Sequence, residues 1–444
     1  MSNRNVTRRK LIALAGAAGA AGLAGCSSGG TNGGTDGGES GGGSGTGTDS
    51  GGDSGSDGGG SASTATLWAW NDPGLSPIRD EQASELAQQS DAISDVSWEY
   101  YPFENYLAKA TTAIPAGNAP DSLALSVLWV PRFADKGVAL NLEEHGFDPD
   151  DYVSAARSNA SYDDTLWAVP WYADCRLVAI NTKMFEEAGL EVPDPTYRPS
   201  WEEFGSWVDT LAKEHGTGYS MSAGEGFDCF ALSNGSGYLN EDGTEAIINN
   251  DAALEAANFL QPKVVEEESI IARNPGGTAA IEDLLAGESA MCFAGSWHYP
   301  RLRDSGLDWQ YMPYPGGPQI EKSHTWSAGV FYSIPKRGGA NQDIGLEWLN
   351  YINSMEVQKN VTKSMGGFPG RKDAYETDAF QSFIENNPKL KPVAQEMENT
   401  ISFPSHPEVT KMWNTVHTQA QSMWQGEEPE KALDKAAKEI NALL

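Results

Sequence analysis

The stretch Asp164-Thr165-Leu166-Trp167-Ala168-Val169-Pro170-Trp171-Tyr172-Ala173-Asp174 carries the most information in this chain. A turn leads into a strand, the strand meets a proline, and two aromatics and a carboxylate follow at once. Leu177-Val178-Ala179-Ile180-Asn181 continues as an apolar run, and Lys183-Met184-Phe185-Glu186-Glu187-Ala188-Gly189-Leu190 closes the block. Buried strand residues, polar breakers and large aromatics side by side are what a chain needs to build a ligand wall at the end of a strand.

Working outward, Thr66-Leu67-Trp68-Ala69-Trp70 reads as a first strand that stops at the turn residues Asn71-Asp72-Pro73-Gly74. A helix through Leu86 follows. Val96 to Tyr100 alternates as a second strand, a helical stretch runs from Tyr106 to Ile114, and Ser122 to Leu128 reads as a buried strand. Strands alternating with helices imply parallel pairing through crossovers, and so an α/β fold. Ser200-Trp201-Glu202-Glu203 is a capping box, with Phe204, Trp207, Val208 and Leu211 as the apolar stripe of its helix. Leu284-Leu285-Ala286-Gly287 ends another helix on a glycine, and Ala290 to Ala294 follows as a short strand. A last helix starts near Pro429 and buries Leu433, Ala436, Ile440 and Leu443.

The N-terminus reads as an address. Arg8-Arg9 precede an apolar run from Leu11 to Leu23, about 13 residues long, where a spanning helix needs roughly 20. Leu23-Ala24-Gly25-Cys26 resembles a lipobox. Residues 1–25 are thus expected to be a twin-arginine lipoprotein signal peptide, with Cys26 as the lipidated residue. Residues 26–64 are expected to be a tether without structure. Ser27 to Gly60 is half glycine, the rest polar or acidic, and a coil of this kind reaches on the order of 30 Å. Its Gly38-Glu39-Ser40-Gly41-Gly42 fits the G-x-S-x-G pattern, but a glycine coil lacks the strained turn that nucleophile needs. The expected location is the extracellular face of the cell membrane.

The 444 residues hold 62 acids against 30 bases, a net charge of −32. Loss of the leader removes four bases and takes it to −36. Such a chain repels nucleic acid and anionic membranes. It is not a disordered acidic tail, since 39% of residues are hydrophobic and 14 are Trp. An acid excess spread over the whole chain fits an exported protein kept soluble in brine. Cys175, Cys229 and Cys292 leave room for at most one disulfide. The histidines show no metal-ligand spacing and no phosphate-binding glycine loop occurs, so neither metal nor cofactor is expected.

The central block resembles the family 1 extracellular solute-binding proteins of ABC importers, the group that includes maltose-binding protein. That family carries a "Y-N-K-x-x-F-x-x-A-G-L" crossing and a "T-W-E-E" helix start; here the tyrosine is replaced by Ile180, and the helix starts on Ser200. Ala286 to Trp297 is similar to the family's "G-K-x-A-M-x-x-x-G-x-W". Pro313-Tyr314-Pro315-Gly316-Gly317 and Gly366-Gly367-Phe368-Pro369-Gly370-Arg371 are further matching blocks. The resemblance spans residues 66 to 444. It implies a two-lobed periplasmic-binding-protein-like α/β fold with a hinge of crossing strands and an interlobe ligand cleft. By analogy the lobes are residues 65–174 plus 332–378 and residues 175–331 plus 379–444. The crossings then fall near Asp174–Leu177, Val330–Ile334 and Tyr375–Phe380.

The resemblance further implies a non-catalytic, monomeric receptor that delivers a mono- or oligosaccharide to permease subunits with cytoplasmic ATPase. Sugars offer apolar faces to aromatic rings and hydroxyls to carboxylates and amides. Candidate contacts are Trp70, Asn71 and Asp72 after the first strand and Trp129 after the third. Trp171, Tyr172 and Asp174 lie at the first crossing. Glu225 and Phe227 sit in a loop resembling a family contact site, Trp297 and His298 follow the Gly-Ser turn, and Trp326 and Trp413 complete the set. Each aromatic also fits a packed core. A polyamine or another small solute would suit the same groups, and an extracellular glycoside hydrolase, needing two flanking carboxyls, or an adhesive surface protein are the readings from other classes.

Overall fold

Ten of the twelve strands among the described residues of this computed structural model join one mixed sheet. The structure describes residues 62–273 and 277–444. The leader, Cys26 and the tether as far as residue 61 lie outside the described residues. The strands are β1 (Ser63–Trp70), β2 (Ile93–Tyr101), β3 (Ser122–Ser126), β4 (Ser161–Tyr162), β5 (Thr165–Leu166), β6 (Val169–Asn181), β7 (Tyr219–Ser222), β8 (Ile270–Arg273), β9 (Met291–Gly295), β10 (Trp309–Met312), β11 (Thr325–Ser333) and β12 (Thr400–Ile401). The body therefore starts at Ser63, two residues ahead of Ala65, because Ser63 and Thr64 already pair with β2.

The order across the sheet is β2-β1-β3-β11-β6-β9-β7-β8, with β10 also on β6 and β12 on β11. The flanks are parallel, as alternation of strand and helix requires: β1 with β2 and β3, and β7 with β8 and β9. The centre is antiparallel, because β6 and β11 carry the chain across and back. β6 runs 13 residues, all buried, since both of its faces are covered. Its partner changes midway. Val169 to Cys175 pair with β11, and Arg176 to Asn181 pair with β9 and β10.

Local chemistry explains the joints. Asp163 and Asp164, with φ of 51° and 56°, turn β4 into β5 as a two-residue hairpin. Ser200 caps the helix Trp201–His215 and accepts from the Glu203 N–H at 3.2 Å, while Glu203 accepts from the Ser200 N–H at 3.0 Å. Phe204, Val208 and Leu211 are buried on that helix, and Trp207 is half-buried against Phe185. The last helix, Pro429–Asn441, buries Leu433, Ala436 and Ile440; Leu443 lies past its end. Residues 372–385 are short helices, Lys372–Tyr375 and Asp378–Glu385. The strand that follows them onto the sheet is β12, parallel to β11 at Thr325 and Trp326.

Around Ala173 three segments approach closely. The register leaves Trp171 without a partner on β11, between Pro170 opposite Phe331 and Tyr172 opposite Val330. Ala173 faces Gly329 on one side. On the other it exchanges backbone hydrogen bonds of 2.8 and 2.9 Å with Phe368. Gly329 has φ +147°, and a Cβ there would lie 2.1 Å from the Tyr172 carbonyl oxygen. Gly329→Ala should therefore destabilise the protein by about 2–4 kcal/mol in urea unfolding. Gly117→Ala, at φ +87° with nothing within 4 Å, should cost about 1 kcal/mol. Equal midpoint shifts for the two would contradict the close approach at Ala173.

Candidate functional site

Parallel strands β1 and β3 end side by side, and the chain beyond each supplies one rim of the candidate site. After Trp70 the chain turns through Asn71–Gly74. The Asp72 carboxylate accepts from the N–H groups of Gly74 at 2.8 Å and Leu75 at 3.1 Å, so it holds the turn that leads into the helix Ser76–Gln89. Asn71 is exposed. Trp70 meets Trp129 and Phe103 edge-on at 5.6 Å, and Trp129 stacks on Tyr106 at 5.4 Å. These rings pack chiefly on one another, which leaves Trp70 9% and Trp129 3% exposed.

The floor is β6. Its alternation turns Tyr172, Asp174 and Arg176 to one face. The Arg176 guanidinium donates through Nη1 to Asp174 at 3.3 Å and through Nη2 to Glu225 at 2.9 Å. Glu225 opens the helix Glu225–Ser233. Half-buried Trp297, on the turn Ser296–His298 after β9, has its ring centroid 5.1 Å from the guanidinium carbon. The two sides meet here. A Cβ on Gly74 would come within 3.4 Å of the Trp297 carbonyl oxygen, and the Thr410 hydroxyl donates to the Leu128 carbonyl at 2.8 Å. Thr410 begins the helix Val409–Trp424, which also carries half-buried Trp413. The Trp413 ring lies 3.7 Å from that of His417, which bonds Asp228 at 3.0 Å.

Burial sets the electrostatics. It pushes the Asp174 carboxyl up to about 7; Arg176 pulls it down, and Glu225 pushes it up. Burial works against the Arg176 charge, but Glu225 and Asp174 raise it above the ordinary range. Burial, with Arg301 and Arg176, pushes His298 down to about 3, so its ring is neutral at pH 7. Among the described residues no group of three or more His, Cys, Asp or Glu side chains is placed to hold a metal ion. Cys175, Cys229 and Cys292 are buried free thiols, each pushed up by burial.

The structure thus brings Trp70, Asn71, Asp72 and Trp129 from one side toward Tyr172, Asp174, Glu225, Trp297 and Trp413. It places four other expected contacts in supporting positions. Trp171 is fully buried, donates its indole N–H to Gln82 at 3.0 Å and lies against the buried Arg79. Phe227 is fully buried beside Trp424. Trp326 stacks on Phe403 at 4.2 Å. His298 accepts from the Gly295 N–H at 3.3 Å and so shapes the turn that presents Trp297. Arg176 was not among the expected residues, although its place two residues after Asp174 on a strand is readable from alternation. A groove of about 410 Å³ beside Lys359, Lys363, Phe380 and Phe383 holds none of the expected residues.

A carboxyl raised by folding binds its proton more tightly in the folded state. Asp174 thus contributes stability below the unfolded value of about 3.9, and that contribution is lost as pH rises through about 7. Glu396, buried against Arg198, is also pushed up to about 7 and behaves alike. Comparison of the wild type with Asp174→Asn isolates Asp174. In urea unfolding from pH 4 to 8, the wild type should lose stability relative to the variant as pH rises. A difference that is flat with pH would contradict the burial of an ionisable group here.

Residues 81–392 match the family described as bacterial extracellular solute-binding protein. The diacetylchitobiose binding protein DasA of Streptomyces coelicolor is 24% identical over 400 residues, covering 85% of this chain and 90% of that protein. Among solved structures, the GacH receptor of Streptomyces glaucescens, determined unliganded and with acarbose, matches with a TM-score of 0.77 at 20% identity, covering 86% of this chain and 98% of that one. An ABC substrate-binding protein from Listeria monocytogenes in complex with cycloalternan matches with a TM-score of 0.75 at 21% identity, covering 86% and 99%. At these identities the structural likeness is one of fold.

Proposed function

The chain belongs to the bacterial extracellular solute-binding protein family, and on that premise we propose that it is the receptor of an ABC importer for a mono- or oligosaccharide. The observation that carries this reading is the convergence on β6. The turn after β1 comes against the Trp297 backbone, the loop after β3 is hydrogen-bonded to Thr410, and the Asp174–Arg176–Glu225 cluster lies beside the Trp297 ring, so an aromatic ring stands beside paired charges. Sugars take that combination, with C–H faces on rings and hydroxyls on ionised groups. The relatives above are named or described with diacetylchitobiose, acarbose and cycloalternan, which agrees with a carbohydrate. Residues from both sides contact the ligand together only when the lobes are closed, so binding favours closure. Trp70, Asn71, Asp72 and Trp129 form one wall in this account, and Tyr172, Asp174, Glu225, Trp297 and Trp413 the other. The lobes divide near Asp174 and Cys175. The receptor performs no chemistry itself and hands its cargo to permease subunits powered by a cytoplasmic ATPase.

The leader extends the proposal. Export by the twin-arginine route and lipid on Cys26 would hold a monomer on the outer face of the membrane at the end of its tether. No helix among the described residues is long and apolar enough to cross a membrane. The acid excess suits brine. A polyamine is the second reading, favoured by Asp174 and Glu225 beside Trp297; Arg176, bound to both carboxylates, weakens it.

A melting screen in strong salt against sugars, polyamines and amino acids tests the reading. A sugar at a hundred times its Kd should add about 2.7 kcal/mol of stability. Stabilisation by a polyamine alone would overturn the carbohydrate assignment. Trp297→Ala should weaken the sugar that scores by at least about tenfold, about 1.4 kcal/mol, with the circular dichroism unchanged. Equal calorimetric affinity in that variant would remove Trp297 from the site.

A further inference from the structure

We propose that Arg176 is the positioning residue of this site: its guanidinium holds Asp174, Glu225 and the Trp297 ring in one arrangement and acts on the ligand through them. The inference deepens the carbohydrate-receptor reading and rests on it for the meaning of the site, though not for the geometry.

Arg176 is the first residue of β6 beyond the change of partner: Cys175 faces Ser327 on β11, and Arg176 faces Gly295 on β9. From there one side chain joins three separate segments. It holds Asp174 on its own strand, Glu225 at the head of a helix, and Trp297 on the turn after β9. Phe403 closes its other side, with the ring centroid 6.0 Å from the guanidinium carbon. Only 7% of the residue is exposed, so its charge acts through a poorly screening medium. Two carboxylates brought this close would each resist ionisation by the other. A planar guanidinium between them offsets part of that repulsion and offers a flat face to an indole; an ammonium offers neither the fork nor the face. Arg176 Nε is buried and has no partner, and Nη1 and Nη2 are each turned to a carboxylate.

The groups that face Asp174 are few. Arg176 and Tyr172 come from β6, with the adjacent Cys175 thiol, and Glu225 comes from the helix Glu225–Ser233. The tyrosine and the thiol are both pushed up by burial and stay neutral. β11 places only Ala328 opposite. Arg176 and Glu225 are therefore the charges that set where Asp174 titrates.

The test needs no ligand. The emission of Trp297 is isolated as the difference between the full chain and its Trp297→Phe counterpart, followed from pH 5 to 9. A titration step near pH 7 is expected. Arg176→Met should move that step up by about one pH unit or more, and Arg176→Lys should return it toward the original position. Glu225→Gln, which removes the like charge and does not depend on the first variant folding, should move it down. No step in the parent protein, or a step unmoved in Glu225→Gln or in a folded Arg176→Met, would overturn the proposal. With maltotriose or diacetylchitobiose as probe, the affinity of Arg176→Met should fall at least about tenfold, with Arg176→Lys intermediate. A moved step with neither sugar bound by any form would leave Arg176 as the positioning residue and refute the carbohydrate reading instead.

Discussion

One strand belongs to both halves of this protein, and the rest of the structure is arranged around that constraint. Every backbone group of a buried strand needs a partner, so β6 must be paired along its whole 13 residues while it crosses. It meets the demand by exchanging β11 for β9 and β10 between Cys175 and Arg176, and where the register skips Trp171 the buried Gln358 amide donates to the Pro170 and Trp171 carbonyls. The glycines at 329 and 367 follow from the same demand. At Gly329 a Cβ would strike the Tyr172 carbonyl, and at Gly367 it would lie 2.3 Å from the Tyr172 ring. Close packing at the crossing leaves little freedom there.

The same crossing places the charges. The chain carries −32 in all. At the floor of the site the arithmetic is different: one guanidinium stands between two carboxylates, and all three are largely withdrawn from water. Screening by salt acts weakly on buried groups. The site can therefore keep its polarity in a medium where surface ion pairs contribute little. The global charge and the local one answer different requirements and do not inform on each other.

Much of this was legible in the sequence, for physical reasons that differ by element. The capping box at Ser200 and the helix stripe through Phe204, Val208 and Leu211 are local devices, and local patterns report them. The parallel flanks followed from alternation; the antiparallel centre did not, because it depends on which distant strand returns beside β6. The third crossing near Tyr375–Phe380 became helices, with β12 joining the sheet after them. Tryptophans were the hardest to sort. Trp171 and Trp297 both end apolar stretches, yet the first is a core residue held by Gln82 and the second a half-buried plate over Arg176. What separates them is the tertiary neighbour. Glu225, 49 residues along, is likewise invisible from Arg176 until the chain is folded.

Hydrogen exchange of the full chain, with and without the sugar that stabilises it most, tests the account most directly. Bound sugar should slow exchange together in residues 71–75, 128–132, 225–228 and 296–301, which belong to both sides of the β6 crossing. Protection confined to one of those sides, or centred on the groove at residues 356–383 instead, would contradict it.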